Sequence, residues 1–321
     1  MIKRTDPILV MGAGSIGERH ISILQKLGFS NIWVYRQRQL PFRIIESNTV
    51  SIFTEINKTQ LIKPAAAIIC TPTSQHLEQA LFCSKLGIAV LIEKPLSNSL
   101  AGFDELKQAV KHHKTYIQVA YMLRYHPYLQ KIKATIDVGE LGKLLSMQSC
   151  WSEYLPDWHP WEDYRISYAA RKDFGGGAAL TLSHDIDVLN WLANSPVDTW
   201  QTIKNYQQMP ELDVESSADI LINYKNKITA QCHLDFHNRI PRRWYRFDFE
   251  KGFMELNYYK SELITFSDGK TITQSLSDFD RNQLYEAQTL DFFHQIQKGE
   301  YLEKALKSIE ESELIISICQ S

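Results

Sequence analysis

The chain has 321 residues, of which 44% are hydrophobic and 22% charged, enough for two domains with substantial cores. A formal charge of −2 and a pI near 6.6 leave no general basic field, which argues against nucleic acid or an anionic membrane surface as a partner. Five cysteines, at 70, 83, 150, 232 and 319, are widely spaced and odd in number, the pattern of reduced core thiols rather than of a disulfide framework.

The first strand begins within ten residues of Met1, and the longest apolar runs are strand-sized, so a cytoplasmic chain without signal peptide or membrane span is expected. Ile8-Leu9-Val10-Met11 reads as that strand. It meets Gly12, Gly14 and Gly17 in the G-x-G-x-x-G spacing, with Ser15 and Ile16 between them, and a helical run follows from Glu18 to Leu27. Strand, glycine turn and helix in that order form a dinucleotide cradle. Gly12 suits the tight turn, Gly14 the approach of a pyrophosphate, and Gly17 close packing of helix on strand. The amides at the helix start, carrying roughly half a positive charge, would face the phosphates.

A second strand, Asn31 to Tyr35, runs into Arg36-Gln37-Arg38. An acidic residue there would bind the ribose 2′-hydroxyl of NAD, whereas a guanidinium accommodates the extra phosphate of NADP. NADP is therefore favoured over NAD, the alternative being that both arginines are solvated and either cofactor is accepted. Ile52-Phe53 suggests a short strand. Ala65 to Cys70 reads as a buried strand ending in Thr71-Pro72-Thr73-Ser74, with His76 opening the next helix. Ile88 to Ile92 is a continuous apolar strand ending at Glu93-Lys94-Pro95. A helix over 99–113 and a strand over 116–121 complete a doubly wound parallel sheet, the Rossmann arrangement, over residues 1–123. Its strand ends supply candidate cofactor contacts: Thr71, Pro72, Thr73, His76, Glu93 and Lys94.

Residues 124–321 read as an α+β domain with a large, mostly antiparallel sheet, for substrate binding and oligomerisation. A helix over 127–138 leads to a strand over 144–154, then to an aromatic loop holding Trp158, His159, Trp161, Tyr164, Arg165 and Tyr168. Its rings would suit a sugar or an adenine, or would cover a sheet edge. Gly175-Gly176-Gly177 precedes a helix starting near His184, on which Asp187 shares a face with the histidine. Alternating runs at 199–207, 217–236, 243–259, 262–267 and 271–276 predict strands, and two helices, over 281–297 and 304–319, close the chain. Arg124, Tyr125, Arg171 and Lys172 join Trp158, His159 and Arg165 as candidate substrate contacts. The arginines and lysine suggest an anionic or nucleotide-linked substrate, unless nearby acids absorb their charge. No metal-ligand spacing presents itself around His184.

These motifs together resemble the Gfo/Idh/MocA family. The resemblance rests on Gly12-x-Gly14-x-x-Gly17, Thr71-Pro72-Thr73-Ser74 with His76, Glu93-Lys94-Pro95-Leu96-Ser97, Arg124-Tyr125-His126-Pro127, and Gly175-Gly176-Gly177 followed by His184-Asp185-Ile186-Asp187. It implies an NAD(P)-dependent dehydrogenase or reductase of sugars or their derivatives, assembled as a homodimer or homotetramer. It also implies Lys94 and His184 as proton-handling catalytic groups, with Asp187 fixing the histidine tautomer. Many relatives carry an aspartate shortly before this histidine, where this chain has Leu180 and Thr181. That departure motivates one alternative, a cofactor-binding sensor; the resemblance implies another, a lyase or glycoside hydrolase that retains NAD and oxidises its sugar transiently, as some family members do.

Overall fold

The computed structural model describes residues 2–37, 41–56 and 63–321. These fall into two compact units, one reaching Met122 and joined by Arg281–Leu314, the other formed by Leu123–Asp280 and Ile315–Ser321.

In the first unit the strands are β1 (Ile8–Met11), β2 (Ile32–Tyr35), β3 (Ser51–Phe53), β4 (Ala66–Ile69), β5 (Ala89–Ile92) and β6 (Ile117–Val119). They form a parallel sheet in the order β3-β2-β1-β4-β5-β6. All four residues of β1 and of β4 are buried, as a sheet covered on both faces requires. Fully burying each such Ile, Leu, Val or Met side chain stabilises the fold by about 1.5–3 kcal/mol. The crossovers carry α1 (Ser15–Lys26), α2 (His76–Lys85) and α3 (Phe103–His113). Strand order reverses between β1 and β4, so the crevice at their carboxyl ends is where such a sheet takes its ligand.

Helix α7 (Asn282–Lys298) returns to this unit. Its aromatic face decides the matter: the Phe293 ring lies 4.7 Å from Phe29, Phe292 stacks on Tyr116 at 5.7 Å, and Tyr285 stands edge-on to His20 at 5.6 Å. A single boundary at 123/124 therefore misses Arg281–Leu314, which packs with the N-terminal sheet. Helix α8 (Leu302–Gln320) starts in the same unit and ends in the second.

The second unit opens with α4 (Pro127–Val138), whose N-cap His126 accepts the Tyr128 N–H at 3.2 Å. There follow β7 (Leu144–Tyr154), α5 (Ala178–Thr181), α6 (His184–Leu192), β8 (Val197–Asn205), β9 (Ser217–Tyr224), β10 (Thr229–Asp235), β11 (His237–Phe249), β12 (Gly252–Asn257), β13 (Glu262–Ser267) and β14 (Lys270–Ser275). The eight strands pair in the order β14-β13-β12-β11-β7-β10-β9-β8, antiparallel except between β7 and β10. Two runs that read as single strands each divide into a hairpin. The 217–236 run breaks at a turn where Lys227 takes φ +71°, and the 243–259 run breaks at Glu250-Lys251, ahead of Gly252. Among the described residues no helix is long and apolar enough to cross a membrane.

Candidate active site

The three glycines of the cradle meet different demands. Gly12 has φ +91°, and a Cβ there would fall 2.7 Å from the Cys70 carbonyl oxygen on the neighbouring strand end. A Cβ on Gly17 would sit 2.1 Å from the Gly12 carbonyl, so only glycine lets α1 pack this close to its own turn. Around Gly14 there is nothing within 4 Å. Gly14 also caps α1 without a side-chain bond, so the first-turn amides, beside the half-buried Ser15 and Ile16, keep their donors for a ligand. Open space beside Gly14 and uncapped amides at a strand-order reversal fit the pyrophosphate of a dinucleotide.

At the end of β2, Arg36 donates its backbone N–H to Phe53 O at 3.0 Å. Its guanidinium lies 4.2 Å over the Phe42 ring. Arg38 lies outside the described residues. At the end of β4, Pro72 precedes a short turn over Thr73–Gln75, and Thr71 Oγ1 donates to Gln79 Oε1 at 2.7 Å. His76 is 2% exposed. Its Nδ1 lies 2.8 Å from Pro95 O and its Nε2 2.7 Å from Thr71 O. The imidazole thus ties the β4 turn to the β5 turn, a framing role within the site. Burial holds its pKa below the ordinary value, against the opposing pull of both carbonyls and of Glu93.

Glu93 and Lys94 follow β5, and the Lys94–Pro95 peptide is cis. Glu93 Oε1 lies 2.9 Å from His20 Nε2, and Glu93 Oε2 accepts the Lys94 N–H at 3.4 Å. Burial raises the Glu93 pKa, but His20, Lys94 and His76 outweigh it and leave the carboxyl below its ordinary value. His20 is a participant that the helical pattern hides: it reads as one position of an apolar stripe, yet it is 0% exposed. A buried imidazole on such a stripe requires a polar partner, and that requirement was the available signal.

In the second unit the triple-glycine run has a steric reason. Gly177 takes φ +103°, and a Cβ there would lie 2.4 Å from Glu215 Oε1. That carboxylate, nearly buried, accepts the Ala179 N–H at 3.1 Å and so anchors α5 immediately before His184. His184 is buried, with its ring 6.2 Å from that of Trp151. The two aspartates flanking Ile186 each meet an arginine. Asp187 accepts two hydrogen bonds from Arg124, from Nε at 3.0 Å and Nη2 at 2.5 Å, the paired fork characteristic of guanidinium and carboxylate. Arg124 and Asp187, expected on substrate and on His184 respectively, are thus bound to each other.

Asp185, 0% exposed, contacts the guanidinium of Arg243. It also accepts from the Tyr245 hydroxyl at 2.9 Å, which itself accepts from Arg243 Nε at 2.9 Å. The same guanidinium lies 3.7 Å over the Trp151 ring. Burial pushes the Asp185 pKa up, and Arg243 and Tyr245 offset only part of that rise. Sequence reasoning missed Arg243 and Tyr245, since both sit on a strand far downstream and carry no motif.

The remaining candidates lie around the aromatic loop. Arg165 is bound to Asp163, with Nε–Oδ1 at 2.9 Å and Nη2–Oδ2 at 2.8 Å. Arg171 pairs with Asp213 at 3.3 Å, and the Lys172 N–H donates to the same carboxylate at 2.7 Å. Trp158 stands edge-on to Phe236 at 5.5 Å, and His159 lies 5.1 Å from Trp161. Tyr125 is half-buried beside Arg124. Among the described residues no group of three or more His, Cys, Asp or Glu is placed to hold a metal.

Residues 7–121 match the family described as "Oxidoreductase family, NAD-binding Rossmann fold", and residues 129–255 match the "GFO/IDH/MocA C-terminal domain". The chain is 28% identical over 196 residues to an uncharacterised oxidoreductase, YrbE, of Bacillus subtilis, covering 59% of this chain and 54% of that one. It is 24% identical to inositol 2-dehydrogenase of Salmonella typhimurium, covering 90% and 85% of the two chains. The crystal structure of myo-inositol 2-dehydrogenase from Lactobacillus plantarum superposes with a TM-score of 0.79 at 18% identity, covering 98% of this chain and 96% of that one. With both of its domains represented in order along the sequence, the chain belongs to the Gfo/Idh/MocA family of oxidoreductases.

Proposed function

We propose that this protein transfers a hydride between NADP and a hydroxyl- or carbonyl-bearing carbon of an uncharged sugar or cyclic polyol. The carrying observation is the open cradle at the strand-order reversal, with a guanidinium and no carboxylate at Arg36-Gln37. A carboxylate there would repel a 2′-phosphate, and Arg36 would grip it. Nicotinamide, when bound, supplies the hydride acceptor or donor. The chain's own groups do the rest. The amides after Gly14 hold the pyrophosphate, Thr71, Thr73 and Glu93 line the adjoining strand ends, and Lys94 stabilises the developing alkoxide or removes the hydroxyl proton. His184 is the second proton-handling group, because an alcohol releases hydride readily only as its proton leaves.

The preference for an uncharged substrate comes from charge pairing. Arg124, Arg165 and Arg171, the groups that suggested an anionic or nucleotide-linked substrate, each have a carboxylate partner in Asp187, Asp163 or Asp213. Relatives named inositol 2-dehydrogenase, levoglucosan dehydrogenase and D-xylose 1-dehydrogenase point to the same class. The family resemblance adds a homodimeric or homotetrameric assembly, which light scattering measures directly.

The test is reduction of NADP+ or NAD+ by the purified protein across myo-inositol, levoglucosan, xylose and glucose, followed by nicotinamide absorbance. Turnover on at least one is expected, and Lys94→Ala should lower kcat by about a hundredfold or more. Cofactor that copurifies and never changes its net redox state would favour the transient-oxidation reading. Binding without turnover on any sugar, with Lys94→Ala silent, would favour a sensor, the reading that Thr181 in place of an aspartate supports.

A further inference from the structure

The first turn of α1 carries a carboxylate that the proposed chemistry does not use. Glu18 follows Gly17 directly and is 1% exposed. Its Oε2 accepts the backbone N–H groups of both Arg43 and Ile44, each at 2.8 Å. Its Oε1 lies 3.8 Å from Arg43 Nε. A carboxylate at a helix start is favoured by the dipole, and two backbone donors satisfy it in a buried place. The consequence is mechanical: the segment around Phe42-Arg43-Ile44 is tied down onto the glycine turn.

That tie sets where two guanidiniums sit. Arg43 Nη2 donates to Ser15 Oγ at 3.1 Å, at the first residue of α1, while its side chain stays 43% exposed. One residue earlier, the Phe42 ring supports the Arg36 guanidinium. The segment therefore spans from the end of β2 to the start of α1, with one cation at each side. In a sheet of this order the ribose 2′-oxygen of a dinucleotide lies at the end of the second strand, near the glycine turn.

We propose that Arg43 is a second determinant of cofactor choice, gripping the 2′-phosphate of NADP together with Arg36 and aimed there by Glu18. The inference rests on the NADP reading given above. On phosphate binding, Arg43 exchanges its Ser15 hydroxyl partner for a charged oxygen, a stronger acceptor. An unphosphorylated ribose offers no such exchange, so NADH gains nothing from this side chain.

The test is titration calorimetry of the full-length protein and its Arg43→Ala and Arg43→Lys variants with NADPH and with NADH. Arg43→Ala is expected to raise the NADPH Kd about tenfold or more and to leave the NADH Kd within about twofold. Arg43→Lys should recover part of the loss, since it keeps the charge without the fork. Equal weakening of both cofactors would place Arg43 on the pyrophosphate or on loop shape and overturn the inference, as would no change in either. A wild type that prefers NADPH while Arg43→Ala is silent sinks this inference alone; a wild type that binds both cofactors alike sinks the NADP reading with it.

Discussion

Replacing Arg243 by Met isolates the energetics of the buried charges around the α6 start. In the native protein Asp185 and Arg243 have side-chain exposures of 0% and 1%, so neither ion can turn to water once its partner is lost. Breaking such a pair from one side costs about 3–5 kcal/mol, because the surviving charge stays desolvated. Loss of the cation over Trp151 adds to this, while the Tyr245 hydroxyl still donates to Asp185 and limits it. For a unit of this size a loss of that order lowers Tm by roughly 10 °C. The sign of the pH dependence follows from the carboxyl. Burial already raises the Asp185 pKa, and removing Arg243 raises it further, above its unfolded value. Stability is then kept while the acid is protonated and lost as pH rises through the folded value, so the variant should lose less near about pH 4 than near about pH 8. Thermal melts followed by circular dichroism at both pH values give the measurement. The paired variant Asp185→Ala/Arg243→Met should recover most of the loss, as removal of both charges is often near neutral. A single variant within about 1 kcal/mol of wild type, or a double variant worse than the single, would refute the account.

Three further outcomes can be measured. Gly14→Ala meets open space and an ordinary backbone, with φ −78°, so its melt should match wild type within about 2 °C while NADPH affinity falls at least about tenfold; Gly17→Ala, which meets the Gly12 carbonyl at 2.1 Å, should fail to yield folded protein on expression. His126 is fully buried, and burial together with Arg243 lowers its pKa to about 4. Its folded pKa lies below the unfolded one, so this residue subtracts stability as pH falls from about 6.5 toward that value; histidine-labelled NMR should show one resonance unchanged from neutral pH down to about pH 5, and a midpoint near 6.5 for every histidine would exclude it.

What the sequence disclosed was what local physics determines. The cradle was legible because Gly12, Gly14 and Gly17 sit between a strand run and a helix run, and each spacing has a steric reading. Ile88 to Ile92 announced a strand buried on both faces. The roles of Asp185 and Asp187 were not legible: both lie on one short helix, and what separates them is which arginine each meets, Arg243 on β11 or Arg124 before α4. The amphipathic pattern of α7 marks a helix that buries one face but does not say against which core. The hairpin break at Lys227 was hidden by apolar alternation running through on both sides of it.

The rings of Phe29 and Tyr116 pack against Phe293 and Phe292 of α7. A ribosome delivers the chain from its amino end, so all six strands of the parallel sheet and all eight of the second sheet are synthesised before Phe292 and Phe293. The nucleotide-binding half, first to be translated, is sealed only by a helix made after the strands of both sheets.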